Sequence, residues 1–434
     1  MLVLLAAAAI VDRPSGEPAD RSFMRQGRLA QPYDEMLAFS LGDLEQWWKD
    51  EFRDLYGSRF KDLAEGVWAV QPQLGAPGCG DDDRTRYDDV EGNAFYCSPP
   101  DMIAWDDTFL IPRLSEVFGE FGMALVLAHE WGHAVQARGD GFDAPSVVTE
   151  LQADCFAGAW LRHVDDGENE ELDMSDRELD GAVAAILQLA DSPGTRALDP
   201  GAHGNGFDRT GALQDGYFNG TQACKGYVDS PPPITETGFD SVDQQLTAGK
   251  MTPSRLVPLV RDDLSAFFTE LAASLGRSFA PPELIPVQEG QDVPECKGLT
   301  GSLERRIVTC EGGTRIVFDY AAFEQASSAL GDFATSTLLA EAYSAAAQEQ
   351  LGAKAEGDLR ALQGVCGAGA WASDVAAHPR EALDVAPGDL DAAISAVLLY
   401  GSVSPDQDAT AGRPFDRVAA YRLGVLGGPS ACKV

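Results

Sequence analysis

The stretch His129-Glu130-Trp131-Gly132-His133 sets two imidazoles four residues apart with a carboxylate between them, and Glu150 and Asp154 follow shortly after. A helix turns about 100° per residue, so His129 and His133 project from one face and could grip one Zn²⁺. Glu130, on the adjoining face, could act as general base on a water at the metal. Zinc sites that do chemistry use three protein ligands and keep one position open. Glu150, opening the next helical pattern, supplies the third donor, and Asp154, one turn further on the same face, could accept the outer N–H of a ligand histidine. The plain alternative is a helix carrying two solvated histidines. The chain holds only five histidines, so a pair at ligand spacing is not the background of a His-rich composition.

Such donors need rigid elements. Leu114, Val117, Phe118, Phe121, Leu125 and Leu127 form an apolar helical stripe running into the motif. Gly132 lets another element pack closely against that helix, at about 1 kcal/mol of helix propensity. A loop holding Gly139, Gly141 and Pro145 leads to a second helix, expected from Glu150 to about Arg162. Asn93 to Cys97 and Met102 to Trp105 read as short strands bounded by Gly92 and Ser98-Pro99-Pro100. Acidic, aromatic helices such as Leu44 to Leu55 would pack around this small sheet.

The runs Val126-Leu127-Ala128-His129-Glu130-Trp131-Gly132-His133-Ala134-Val135-Gln136 and Glu150-Leu151-Gln152-Ala153-Asp154-Cys155-Phe156-Ala157-Gly158 resemble the bacterial neutral zinc metallopeptidases, as do Ala94-Phe95-Tyr96-Cys97-Ser98-Pro99 and His203-Gly204. The likeness spans about residues 35–228. It implies a gluzincin-like site in which His129, His133 and Glu150 bind zinc and Glu130 is the base. It also makes His203, in the glycine-rich Pro200-Gly201-Ala202-His203-Gly204-Asn205-Gly206, a candidate donor to the oxyanion formed at the scissile carbonyl. The alternative for His203 is a loop histidine in water.

At 434 residues the chain can hold two domains, and 44% hydrophobic residues support packed cores. A net charge of −37 argues against nucleic acid as a partner. The charge is spread along the chain, as solubility or salt adaptation would have it, although an acidic field could also draw in cationic peptides. Met1 to Val11 is apolar without a basic flank and too short to span a bilayer. It reads as a truncated or mis-started signal or membrane tether, the alternative being a cytoplasmic protein with an apolar N-terminus. Eight cysteines favour an oxidising, extracytoplasmic compartment.

The pattern of the first half returns beyond Pro231-Pro232-Pro233. Gly119-Glu120-Phe121 is echoed by Gly331-Asp332-Phe333, and Gly158-Ala159-Trp160 by Gly369-Ala370-Trp371. Phe207-Asp208-Arg209 recurs as Phe415-Asp416-Arg417, and Asp43-Leu44 with Trp47-Trp48 as Asp263-Leu264 with Phe267-Phe268. Four anchors in one order make coincidence a poor account. In the second copy Glu341, Ala342, Ala345, Ala361 and Val365 stand where the first has His129, Glu130, His133, Glu150 and Asp154, and Ala411 stands for His203. No zinc is expected there. The cysteines persist instead: Cys79, Cys97, Cys155 and Cys224 map onto Cys296, Cys310, Cys366 and Cys432. Pairings Cys79–Cys97, Cys155–Cys224 and their counterparts would recur in both copies, though four cysteines allow three connectivities. Arg209 survives as Arg417 without ligands beside it, which marks it as structural, a salt-bridge anchor. His163 reads as a solvated helix end and His378 as surface. Tyr96 and Tyr217 are oxyanion-donor candidates better suited to core or rim.

The expected architecture is α+β, predominantly α: tandem zincin-like domains, each with helices around a small sheet, the second lacking the metal site. The expected segments are 1–30 (hydrophobic segment and linker), 31–230 (peptidase-like domain), 231–258 (proline-containing linker) and 259–434 (degenerate repeat), with the two halves packed on each other. The expected function is a secreted or membrane-tethered endopeptidase using one zinc per chain on peptide or protein substrates. The alternative is a binding or scaffold protein whose zinc site is structural or vestigial. Sequence assigns no cleavage preference and no oligomeric state.

Overall fold

A computed structural model describes residues 19–432 except 81–82, 140–141, 143, 168–170, 200, 236–237, 240–250, 298, 300–301, 305, 381–382 and 401–411. The readings of Met1–Val11, Gly141 and Ala411 therefore lie outside the described residues. The fold is α+β and mostly helical. In the N-terminal half the order is α1 (Asp34–Tyr56), β1 (Gly66–Val70), β2 (Ala94–Cys97), β3 (Met102–Asp106), α2 (Leu110–Arg138), α3 (Ser146–Asp165), α4 (Asp176–Gln188) and α5 (Gly206–Lys225). The sheet runs β1-β3-β2. Central β3 pairs in parallel with β1, Gly66 opposite Met102, and antiparallel with β2, Cys97 opposite Met102. All of β3 is buried, as its apolar run requires of a strand covered on both faces. That leaves β2 as the edge strand beside α2.

Helix α2 breaks phase at Gly119, whose φ of 81° falls in the left-handed region. Phe121 to Gly132 beyond the break are buried, whereas Val117 before it is exposed, so the expected stripe is two faces rather than one. A Cβ on Gly132 would lie 2.8 Å from the Ala153 Cα; its absence lets α2 and α3 cross closely. Helices α3 and α5 are pressed together in the same way. A Cβ on Gly158 would meet the Leu213 carbonyl at 1.9 Å and one on Gly216 the Cys155 carbonyl at 1.7 Å, and Cys155–Cys224 ties the pair. Residues 19–30 are not linker, as expected, but part of this body. Phe23 is buried 5.7 Å from the Trp105 ring, and Arg28 pairs with Asp34 at 2.7 Å and with Asp107 at 2.9 Å.

The C-terminal half contains α6 (Pro253–Ser274), β4 (Glu283–Val287), β5 (Ile307–Thr309), β6 (Arg315–Asp319), α7 (Tyr320–Leu330), α8 (Asp332–Leu351), α9 (Gly357–Ala377), α10 (Asp389–Tyr400) and α11 (Pro414–Gly427). Helix α6 starts inside the segment read as linker 231–258, because proline is at home in a helix's first turn. The sheet order is β4-β6-β5, again with one parallel and one antiparallel pairing around the central strand. Gly331, with φ of 106°, separates α7 from α8. A Cβ on Gly369 would come 2.1 Å from the Tyr421 carbonyl, and one on Gly424 2.0 Å from that of Cys366. The Trp160 indole donates to Asp43 (2.8 Å), and the Trp371 indole donates to Asp263 (2.7 Å). The remaining disulfides are Cys79–Cys97, Cys296–Cys310 and Cys366–Cys432.

The halves meet through reciprocal contacts. Phe207, at the start of α5, is buried in the C-terminal core, and Phe415, at the start of α11, in the N-terminal core. The Phe207 N–H donates to Asp391 of α10 (2.7 Å), and the Phe415 N–H to Asp180 of α4 (3.1 Å). The carbonyl of Phe415 accepts from Gln214 (2.9 Å), and that of Phe207 accepts from Arg422. No described helix is long and apolar enough to cross a membrane.

Candidate functional site

The close crossing of α2 and α3 brings His129, His133 and Glu150 together, with one donor atom from each within 4.8 Å of the others. His129 Nε2 stands 3.1 Å from Glu150 Oε2, and His133 Nε2 stands 3.5 Å from Glu150 Oε1. Ligands at about 2.0–2.1 Å around a tetrahedral zinc are separated by about 3.3 Å. Both distances across Glu150 are close to that separation.

The imidazoles are oriented from behind. His129 Nδ1 lies 2.7 Å from Asp154 Oδ1, and His133 Nδ1 lies 2.8 Å from Gln136 Oε1. The Gln136 amide nitrogen donates to the Thr149 carbonyl (2.7 Å) and to Gln152 (2.9 Å), so its oxygen is the atom left to face His133. In both rings Nδ1 faces an acceptor, so Nε2 is the nitrogen turned towards Glu150 and the one that would face a metal. Asp154 is itself clamped by Arg209, whose Nε and guanidinium nitrogen donate at 2.8 and 2.9 Å. Arg209 is the expected salt-bridge anchor, and it also lines the site cavity.

The protein's own charges set the titration of this cluster. Burial alone would depress the His129 imidazole, but the Asp154 and Glu150 carboxylates outweigh it and lift the pKa to about 10. Burial would raise Glu150, yet its bonds to His129 and His133 hold it well below the carboxylate range. Asp154 is likewise held down against burial by Arg209 and His129. Glu130 behaves differently. Burial raises it despite the nearby histidines, and the Tyr96 N–H on β2 donates to its Oε2 at 2.8 Å. A carboxyl lifted above its ordinary value is better matched to accepting and returning a proton near neutral pH.

A cavity of about 340 Å³ opens onto these groups. One side is the β2 edge from Gly92 to Tyr96; the other is apolar, with Leu110, Leu125 and Val126 of α2 and Ile186 and Leu189 at the end of α4. His203 reaches the same cavity with its side chain 52% exposed and 3.4 Å from Asp191, which also accepts the backbone N–H groups of His203 and Gly204. The Tyr96 hydroxyl donates to Asp101 (2.8 Å), a rim position. Tyr217 is buried away from the cavity against Phe415. His163 corrects the expectation of a solvated helix end: it stacks on Trp47 and sits 3.4 Å from Asp43, because α1 covers that face. His378 is at the surface beside Asp374. Gln136 was not singled out from sequence, although its position three residues after His133 puts it on the ligand face.

A largely enclosed His/His/Glu donor set within 4.8 Å, backed by a carboxylate and an amide, is a set that could hold a zinc ion. Residues 18–223 match the model of the family described as "Putative neutral zinc metallopeptidase". Over 156 residues the chain is 30% identical to an uncharacterized protein of Mycobacterium bovis and to uncharacterized proteins of two Mycobacterium tuberculosis strains. The alignment covers 30% of this chain and 53% of each relative, so the chain spans about half the length of these curated relatives. No solved structure matches it. Four disulfides point to an oxidising, extracytoplasmic environment.

Proposed function

We propose that this chain is a zinc-dependent endopeptidase acting outside the cytoplasm, with the metal held by His129, His133 and Glu150. The observation that carries the reading is the spacing of the three donors, 3.1 and 3.5 Å across Glu150. Zinc bound there would polarise the scissile carbonyl and lower the pKa of the attacking water to about 7. Glu130 takes the proton of that water and passes it to the leaving amine, a role suited to its raised pKa. The β2 edge beside the cavity receives the substrate as an added strand. His203 at the rim donates to the oxyanion. Asp154 fixes the ring of His129, and Gln136 that of His133.

We infer further that residues from Pro253 onward are a second, metal-free version of the N-terminal unit. Support comes from the shared sheet order, the paired glycines and the Trp–Asp bond found in each half. Glu341 stands where the first half has His129, and Val365 where it has Asp154. Burial depresses the Arg417 pKa, and the charge of Glu341 partly offsets it, so Glu341 answers the arginine that lost its aspartate.

Glu130→Gln should keep one zinc per chain and lose peptide hydrolysis, whereas His133→Ala should lose both. Metal analysis and cleavage of an unfolded protein, with and without chelator, check this. Hydrolysis that survives chelation or either substitution defeats the proposal, and zinc uptake without any hydrolysis by the wild-type chain favours a binding protein.

A further inference from the structure

We propose that Asp391, in the C-terminal half, is a positioning residue for the zinc ligand His129. The Asp391 carboxylate spans both halves. Its two oxygens accept the backbone N–H groups of Gly206 (2.9 Å) and Phe207 (2.7 Å) in the first turn of α5. Those N–H groups have no partner within the helix, and both residues are buried, so the carboxylate satisfies donors that water cannot reach. A negative charge at a helix N-terminus is also favoured by the helix dipole.

That same turn carries Arg209. Its guanidinium holds both oxygens of Asp154, and Asp154 holds His129 Nδ1 at 2.7 Å. Arg209 also donates to the carbonyl of Leu189, a residue of the cavity wall. The line from Asp391 to the ligand therefore runs through two part-buried bonds to the start of α5 and then through the buried Arg209–Asp154 and Asp154–His129 contacts. The fit is close: a Cβ on Gly206 would come within 3.1 Å of the Asp391 carboxyl carbon and 2.7 Å of Leu187. From the same half Arg422 lies over the Phe207 ring, 4.0 Å from its centroid, and donates to the Phe207 carbonyl. The metal-free half thus sets the start of α5 from two directions, and α5 sets the ring that would carry the metal.

The reciprocal contact supplies a control. Asp180 does for Phe415 what Asp391 does for Phe207, but the helix it caps carries Arg417, which has no metal ligand beyond it. Asp391→Ala removes two bonds of this interface and Asp180→Ala one, and only the former lead on to the proposed zinc ligand.

The test uses the full chain. Zinc affinity of wild type, Asp391→Ala and Asp180→Ala is measured by chelator competition, and the visible absorption of bound Co²⁺ reports the geometry of the donor set. Loss of an outer-sphere contact of this kind costs about 10-fold to 100-fold in metal affinity. Asp391→Ala should weaken zinc by about 10-fold and alter the Co²⁺ spectrum, while Asp180→Ala leaves both as in wild type. Should the alanine variant not fold, Asp391→Asn keeps the shape and replaces one acceptor by a donor facing an N–H, with the same expected direction. Wild-type affinity in the Asp391 variant, or equal weakening in both, overturns the inference. It rests on His129, His133 and Glu150 as zinc ligands. A wild-type chain that takes up no zinc defeats that reading, whereas zinc uptake indifferent to Asp391 defeats only this one.

Discussion

Under the duplication we propose, His129 and Glu341 stand at matching points of two halves whose sheets share one strand order, and their surroundings differ. Around His129 the charges run in a chain of contacts: Arg209 on Asp154, Asp154 on His129, and His129 with His133 on Glu150. On the same alignment Val365 and Ala361 stand where the first half has Asp154 and Glu150, and Arg417 stands for Arg209. The lesson is an order of dependence. The arginine and the glycine crossings serve the helix packing, and a metal site can be added to that packing or lost from it.

That comparison breaks most visibly at the two arginines. Arg209→Met would leave Asp154 buried without its main counter-charge and should cost about 3–5 kcal/mol of stability. Replacing Glu341 and Arg417 together by apolar residues of similar volume should be neutral or stabilising, because it removes two desolvated charges at once. Denaturant unfolding of both variants checks the contrast, and equal losses would remove it. Glycine crossings test the shared part. Gly158→Ala and Gly369→Ala each push a methyl into a facing carbonyl and should destabilise by at least about 1–3 kcal/mol, to a similar degree in each half. If only the Gly158 variant unfolded more easily, the halves would not share that packing.

The smallest effect is one of pH. With a pKa near 10 from the protein's own charges, His129 holds a proton at neutral pH that zinc must displace. Apparent zinc affinity should therefore rise as pH rises, by about tenfold per unit for one displaced proton, or about 1.4 kcal/mol. Adding zinc in weak buffer should release protons, which calorimetry in buffers of different ionisation enthalpy would register. An affinity flat between pH 6 and 9 contradicts the charge arrangement.

How much could be read from residues alone follows from how local each signal is. His129, His133 and Glu150 were legible because helical spacing is local and the two helices join through a short loop. Asp154 was legible for the same reason, one turn beyond Glu150. Strand β1 was passed over although Gly-Val-Trp-Ala-Val carries the apolar content of a strand, since nothing nearby in sequence names its partner; its pairing with Met102 to Asp106 closes across 36 residues. His163 was misjudged because its angle on α3 says nothing of Trp47 arriving from α1. Phe207-Asp208-Arg209 was seen to recur, but which core each phenylalanine enters is settled by the packing of α5 against α11. Gln136 needed no more than its spacing from His133. The signal was there, and polar residues in buried helices are easily taken for surface.

The reciprocal seating of Phe207 and Phe415 bears on assembly. A contact in which each side gives what it receives is the kind that two identical subunits make about a two-fold axis. Here it is closed within one polypeptide, so the faces of α5 and α11 that could have recruited a second molecule are already spent on each other. Each half is thus the other's permanent partner, present at a fixed one-to-one ratio at any dilution.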